Sequence, residues 1–95
     1  MIAPKNIELI EGETALAEDI ELSAKVWLFN DDVHDFEEVI LQIMKAAHCS
    51  SSDAEALTWK VHSEGKAIVF TGDFGECLLV SAVLEEINLG TQIEY

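Results

Sequence analysis

A run of strand-forming residues, Lys25 to Phe29 (KVWLF), stops at Asn30-Asp31-Asp32, and the pattern of an amphipathic helix begins almost at once beyond it. This change of period constrains the fold more than any other feature of the chain. An apolar run bounded by polar turn residues is what a buried strand looks like. From Phe36 onward Val39, Ile40, Ile43, Met44 and Ala47 recur at the three-and-four spacing that draws one apolar stripe along a helix. Asp35 and Glu38 stand where a reciprocal helix cap would need them.

The remainder of the chain repeats the alternation. His48 to Ser52 (HCSSS) interrupts the stripe, and Ser52-x-x-Glu55 is the expected start of a second helix with Ala54, Leu57, Thr58 and Val61 on one face. Gly65 closes it. Lys66 to Thr71 (KAIVFT) reads as a second strand, and Asp73 with Glu76 caps a third helix expected over Phe74 to Leu89. That helix is apolar nearly all round (Cys77, Leu78, Leu79, Val80, Val83, Leu84, Ile87), so one side faces the core and the other predicts deep burial or a partner surface. Gly90 is the expected stop, and Thr91 to Tyr95 a last short strand. The order β-α-α-β-α-β predicts a single small α+β domain, with a three-stranded antiparallel sheet and helices packed on one face. Residues 1–24 hold six acids (Glu8, Glu11, Glu13, Glu18, Asp19, Glu21) against Lys5, with no sustained period. They read as an acidic arm, extended or partly ordered, in which Ile7 to Ile10 could add an edge strand. The domain proper is 25–95.

Charge narrows the partners. Five lysines against 19 acids give a formal charge of −14, a field that repels phosphate backbones and anionic membranes and concentrates protonated amines and basic protein surfaces. Neither nucleic acid nor membrane is expected as a partner. No apolar run approaches the roughly 18 residues of a membrane span, and the amino end lacks the basic start and apolar stretch of a signal peptide. The expectation is a cytoplasmic protein of one domain, with Cys49 and Cys77 reduced. No activated nucleophile or glycine-rich phosphate loop is present, so neither an enzyme nor a cofactor is expected. Asp31, Asp32, His34 and His62 offer metal-ligating groups, but at no diagnostic spacing.

One constellation stands out. Thr58 and His62 lie one helical turn apart with Val61 beside them, which places His62 toward the core side of the second helix. Should the first two helices form a hairpin, an apolar pocket opens between Phe36, Val39, Thr58 and Val61, with Asn30, Asp31 and His62 at its rim. A carboxylate, an amide oxygen and a neutral imidazole nitrogen are three converging acceptors, and an α-ammonium brings three donors and a positive charge. Plainer readings exist. Asn-Asp-Asp also makes an ordinary turn, His62 near a helix end complements the dipole, His34 and His48 suit surface or capping positions, and Phe36, Val39 and Val61 suit a core.

Asn-Asp-Asp at a strand end, F-E-x-V opening a helix at Phe36, and V-H-x-x-G-K-A from Val61 to Ala67 resemble, in order and spacing, the ClpS family of Clp protease adaptors. The resemblance covers about Lys25 to Thr71 and weakens across the third helix. It implies a non-enzymatic adaptor that binds the free α-amino group and bulky hydrophobic first residue of N-degron substrates. Such an adaptor passes them to the N-terminal domain of a ClpA- or ClpC-type unfoldase, which engages the mobile amino-terminal extension. Carried onto this chain, it implies that Asn30, Asp31 and His62 hold the amino group, Asp32 supports the loop, and Phe36, Val39, Thr58 and Val61 form the pocket wall. Phe36 and Thr58 stand where the family often has methionine, His34-Asp35 replaces a common Thr-Pro, and the third helix lacks the lysine expected near its start. The alternative is an interaction domain of the same fold with a vestigial pocket, working through the third helix, and a small metal-binding enzyme ranks third.

Overall fold

Strand β1 (Ala24–Phe29) alternates strictly: Ala24, Val26 and Leu28 are fully buried, while Lys25 is exposed and Trp27 and Phe29 are half-covered. A period of two means that one face of the strand lies under helices. The computed structural model describes residues 23–95, and in it β1 is the central strand of a three-stranded sheet. It pairs antiparallel with β2 (Lys66–Gly72) on one side and β3 (Thr91–Glu94) on the other. The β1–β2 register slips between Val26 and Trp27, where Val69 is the extra residue of a bulge. Strand β1 thus begins at Ala24, one residue before the expected Lys25. The rest of the expected arm, with Ile7 to Ile10, lies outside the described residues.

Helix α1 (Phe36–Ala47) starts as its sequence predicts. The Asp35 carboxylate accepts the Glu38 N–H at 2.9 Å, and Glu38 Oε1 accepts the Asp35 N–H at 3.3 Å, a reciprocal cap that satisfies two otherwise orphaned donors. It ends at His48, which adopts the left-handed conformation (φ 56°) and returns its N–H to Met44 O, a capping role. Helix α2 (Ser51–Glu64) starts earlier than expected. Its cap is Ser50, whose Oγ accepts the Asp53 N–H at 3.1 Å, not Ser52. Three successive serines can each cap, and starting at the first adds helix without losing a cap. Gly65 (φ 88°) closes α2 and donates to Val61 O at 2.9 Å.

Helix α3 (Phe74–Glu85) is shorter than the expected Phe74 to Leu89. Glu86 and Asn88 donate three residues back, to Val83 O and Glu85 O, and Asn88 takes the left-handed turn at φ 67°. Asparagine tolerates that conformation, so the helix stops before Gly90 is reached. The three helices cover one face of the sheet around a core whose largest buried side chains are Leu28, Ile43, Leu84, Val26 and Cys77. Gln42 on α1 donates to Val83 O at 2.6 Å, and Lys45 pairs with Glu86 at 2.8 Å, which ties α1 to the end of α3. The outward side of α3 leaves Leu78 and Leu79 48% and 70% exposed, next to Phe74, whose ring stands edge-on to Tyr95 at 5.0 Å. The surplus apolar surface of this helix is therefore uncovered rather than deeply buried. Both cysteines are free thiols, Cys77 in the core.

Candidate functional site

One backbone hydrogen bond assembles the site. Beyond the last residue of β1, the Asn30 N–H donates to Gly65 O at 2.9 Å, which pins the mouth of the strand to the C-terminal cap of α2. His62 lies less than one turn before that cap, so residues 32 positions apart in the chain meet at one place. The neighbouring Phe29 N–H donates to Gly90 O at 3.0 Å and brings the start of β3 alongside.

The loop after Asn30 is built on Asp31. Its Oδ1 accepts the Val33 N–H at 3.0 Å and the His34 N–H at 2.9 Å, an Asx-type turn, and its Oδ2 accepts His34 Nδ1–H at 2.8 Å. These bonds, the His34 N–H foremost, outweigh partial burial and hold the Asp31 carboxyl below its ordinary range, so it is ionised. A carboxylate accepts about four hydrogen bonds. Three are used inside the loop, and the edge left over belongs to Oδ2.

Between this loop, α1 and α2 lies a cavity of about 260 Å³, lined by Asn30, Asp31, Asp32, Phe36, Val39, Thr58, Val61 and His62 together with Leu28, Phe29, His34 and Leu89. Every residue that the sequence reading grouped at this site borders it. Val61 and Thr58 are buried, and the Thr58 hydroxyl donates to Ala54 O at 2.7 Å, so it is engaged within its own helix. His62 does not share the core-facing side of α2, as its spacing from Thr58 predicted. It is exposed, because each helical residue turns about 100° and Val61 already occupies the inward direction. The His62 ring stands edge-on to Phe36 at 5.8 Å and to Trp59 at 6.0 Å, and Phe36 and Trp59 lie 4.4 Å apart. Phe36 and His62 border the cavity, and Trp59 packs against both of their rings. Asp32 is exposed and, among the described residues, makes no side-chain hydrogen bond; the loop support expected of it comes from Asp31 and His34 instead.

Two residues of this neighbourhood escape a reading of the sequence. Trp59, 55% exposed, packs on the Phe36 and His62 rings, and its only sequence signal is the three-residue spacing to His62. His34 is no surface residue: its side chain is 10% exposed, with Nδ1 on Asp31 and Nε2 on the Ile87 carbonyl. The spacing from Asp31 hinted at the first bond, whereas nothing local announces a partner 53 residues away. No group of three or more His, Cys, Asp or Glu side chains gathers as a metal site among the described residues. No helix among them is long and apolar enough to cross a membrane.

Comparison with known proteins gives a consistent answer. The chain is 38% identical over 72 residues to the E3 ubiquitin-protein ligase UBR2 of Mus musculus, across 70% of this chain. It is 34% identical over 79 residues to the UBR2 of Homo sapiens, across 78% of it. In each case the match spans only 4% of the ligase's length. The fold superimposes on that of Agrobacterium tumefaciens ClpS2 bound to L-phenylalaninamide with a TM-score of 0.71, over 76% of this chain and 94% of that one, at 19% identity. Residues 21–89 match the family model of the ATP-dependent Clp protease adaptor protein ClpS. That match covers most of the chain, and the chain belongs to the ClpS family.

Proposed function

We propose that this domain captures the free amino end of a polypeptide whose first residue is large and hydrophobic, and presents it to a proteolytic system. The observation that carries this reading is the pairing of an apolar cavity with unsatisfied acceptors at its mouth. Among the described residues neither the Asn30 nor the His62 side chain has a hydrogen-bond partner, and both line the same cavity as an ionised Asp31 with one acceptor edge to spare. An α-ammonium supplies three donors and the matching charge. Its side chain then enters between Phe36, Val39, Thr58 and Val61, which act as the wall, while Asp32 adds negative potential at the rim. L-Phenylalaninamide, the ligand of the Agrobacterium relative, has this chemistry: a free amine, a benzyl group and an amide in place of the next peptide bond.

Magnitudes agree with such a role. Charge-assisted hydrogen bonds contribute roughly 1.5–3 kcal/mol each, and burial of a Leu or Phe side chain roughly as much again. After the cost of association these support micromolar binding. The test is a pair of peptides that begin with Phe and differ only in acetylation of the amine, followed through Trp59 fluorescence or by calorimetry. The free peptide is expected to bind and the acetylated one to lose nearly all affinity; equal binding would refute amine capture.

Delivery is the second half of the proposal. The family is described as an adaptor of the ATP-dependent Clp protease. From the resemblance of the motifs, we assign the handover to the N-terminal domain of a ClpA- or ClpC-type unfoldase in the cytoplasm, without catalysis by this domain. The uncovered face of α3, with Phe74, Leu78 and Leu79, is the surface we assign to that contact. The likeness to UBR2 favours a second reading, in which the same recognition unit serves a ubiquitin ligase. Calorimetry of the domain against an isolated unfoldase N-domain, with Leu79→Glu as control, separates them: binding abolished by the substitution supports unfoldase delivery, and no binding favours the ligase.

A further inference from the structure

We propose that His34 is a positioning residue of the amine site: its ring, donating from both nitrogens, clamps the Asp31 carboxylate to the Ile87 carbonyl and so orients the carboxylate edge that meets the ligand. This rests on the amine-capture reading above. The argument begins with what holds the loop. Between the Asn30 N–H, fixed on Gly65, and the Asp35 cap of α1, the segment has no strand or helix ladder. Val33 is 85% exposed and anchors nothing. The Asp31 carboxylate and the His34 ring are what tie the loop down, and the ring alone reaches another element.

The chemistry of the two partners then dictates the state of the ring. A carboxylate and a carbonyl are acceptors only, so a neutral imidazole, with a single N–H, satisfies one of them and not both. The closed clamp requires the imidazolium. Every charged group facing the ring agrees: Asp31 on the loop and Glu38 on α1 are both acidic, and the turn after α3 contributes the Ile87 carbonyl from a helix end that favours a cation. A further titratable group, His62 on α2, borders the same cavity. In accord with this geometry, the bond to Asp31, then that to Ile87, raise the basicity of His34 above that of an ordinary histidine against the effect of its burial. Deprotonation releases one arm of the clamp. Asp31 then keeps its two backbone donors but loses either its ring bond or the anchor behind it.

Binding of the free-amine Phe peptide to the wild-type domain and to His34→Asn, from about pH 6 to pH 9, tests this. Asparagine retains a donor near the Nδ1 position and removes both the charge and the reach to Ile87. Every other ionisable group, the peptide amine included, is common to both proteins, so the ratio of their Kd values isolates His34. The ratio is expected to be roughly tenfold at the acid end, the scale of one charge-assisted bond, and to fall toward one as the wild-type ring deprotonates. A ratio independent of pH overturns the inference while amine capture stands. Failure of the wild-type domain to prefer the free over the acetylated peptide overturns both. Should the variant unfold, nitrogen-15 spectra of the wild-type ring near pH 7 decide: two protonated ring nitrogens support the clamp, and a neutral tautomer refutes it.

Discussion

Asn30 and His62 illustrate a division of labour among side chains that sequence spacing alone does not reveal. Both side chains are exposed and lack hydrogen-bond partners among the described residues, and beyond the edge contacts of the His62 ring with Phe36 and Trp59 they hold little of the fold. Asn30→Ala and His62→Ala are each expected to weaken binding of the free-amine peptide by roughly ten- to a hundredfold while leaving the melting temperature within a degree or two. Calorimetry and thermal melts read the two effects separately. Asp31 differs, because three of its four bonds are internal, and Asp31→Ala should lose both binding and stability. The Asp31–His34 pair also carries a pH signature. The folded value of His34 is raised, so its contribution is complete below about pH 6.5 and is lost as pH rises through the folded value. The folded value of Asp31 is lowered, so its contribution is present above about 3.9 and is lost as pH falls through the folded value. The difference in melting temperature between wild type and His34→Asn should therefore be largest from about pH 4 to 6.5 and shrink on either side. The residues that line the cavity were readable because polar residues at a strand end and an apolar stripe on a helix are local patterns. The bonds of His34 were not, since one of them goes to a carbonyl in the turn after α3.

Gly65 is the hinge on which strand and helix agree. It stands at φ 88° with no atom within 4 Å of where a Cβ would sit, so its requirement is conformational and not steric. Gly65→Ala is expected to cost about 1–2 kcal/mol, and for a domain of this size each kcal/mol lowers the melting temperature by roughly 4–8 °C. Because the Gly65 carbonyl also receives the Asn30 N–H, peptide binding should weaken along with stability, unlike in an exposed α3 variant such as Leu79→Glu, whose peptide affinity should stay at the wild-type level. Measuring both quantities on both variants checks this. The sequence placed all six elements in the right order because each switch of apolar period coincides with turn residues. It misjudged the two helix termini where several residues can do the same job. Three adjacent serines compete to cap α2, and Asn88 takes the left-handed turn that Gly90 was expected to supply.

The molecule as a whole sets the field in which capture occurs. A formal charge of −14 surrounds a cavity mouth that itself carries Asp31 and Asp32, with Asp35, Glu37 and Glu38 following in the next few residues. Long-range attraction of this kind acts mainly on encounter, because the Debye length shrinks from roughly 30 Å at 0.01 M salt to about 8 Å at 0.15 M. Contacts made inside the site are screened far less. Stopped-flow measurements with the free-amine Phe peptide are therefore expected to show an association rate that falls severalfold over that range while dissociation changes little. A neutral acetylated peptide has no charge for the field to act on, so whatever weak association it shows should be indifferent to salt. If salt instead accelerated dissociation and left association unchanged, the ammonium would be held by contacts open to solvent at the rim, and the Asn30–Asp31–His62 mouth would not be the place where it sits.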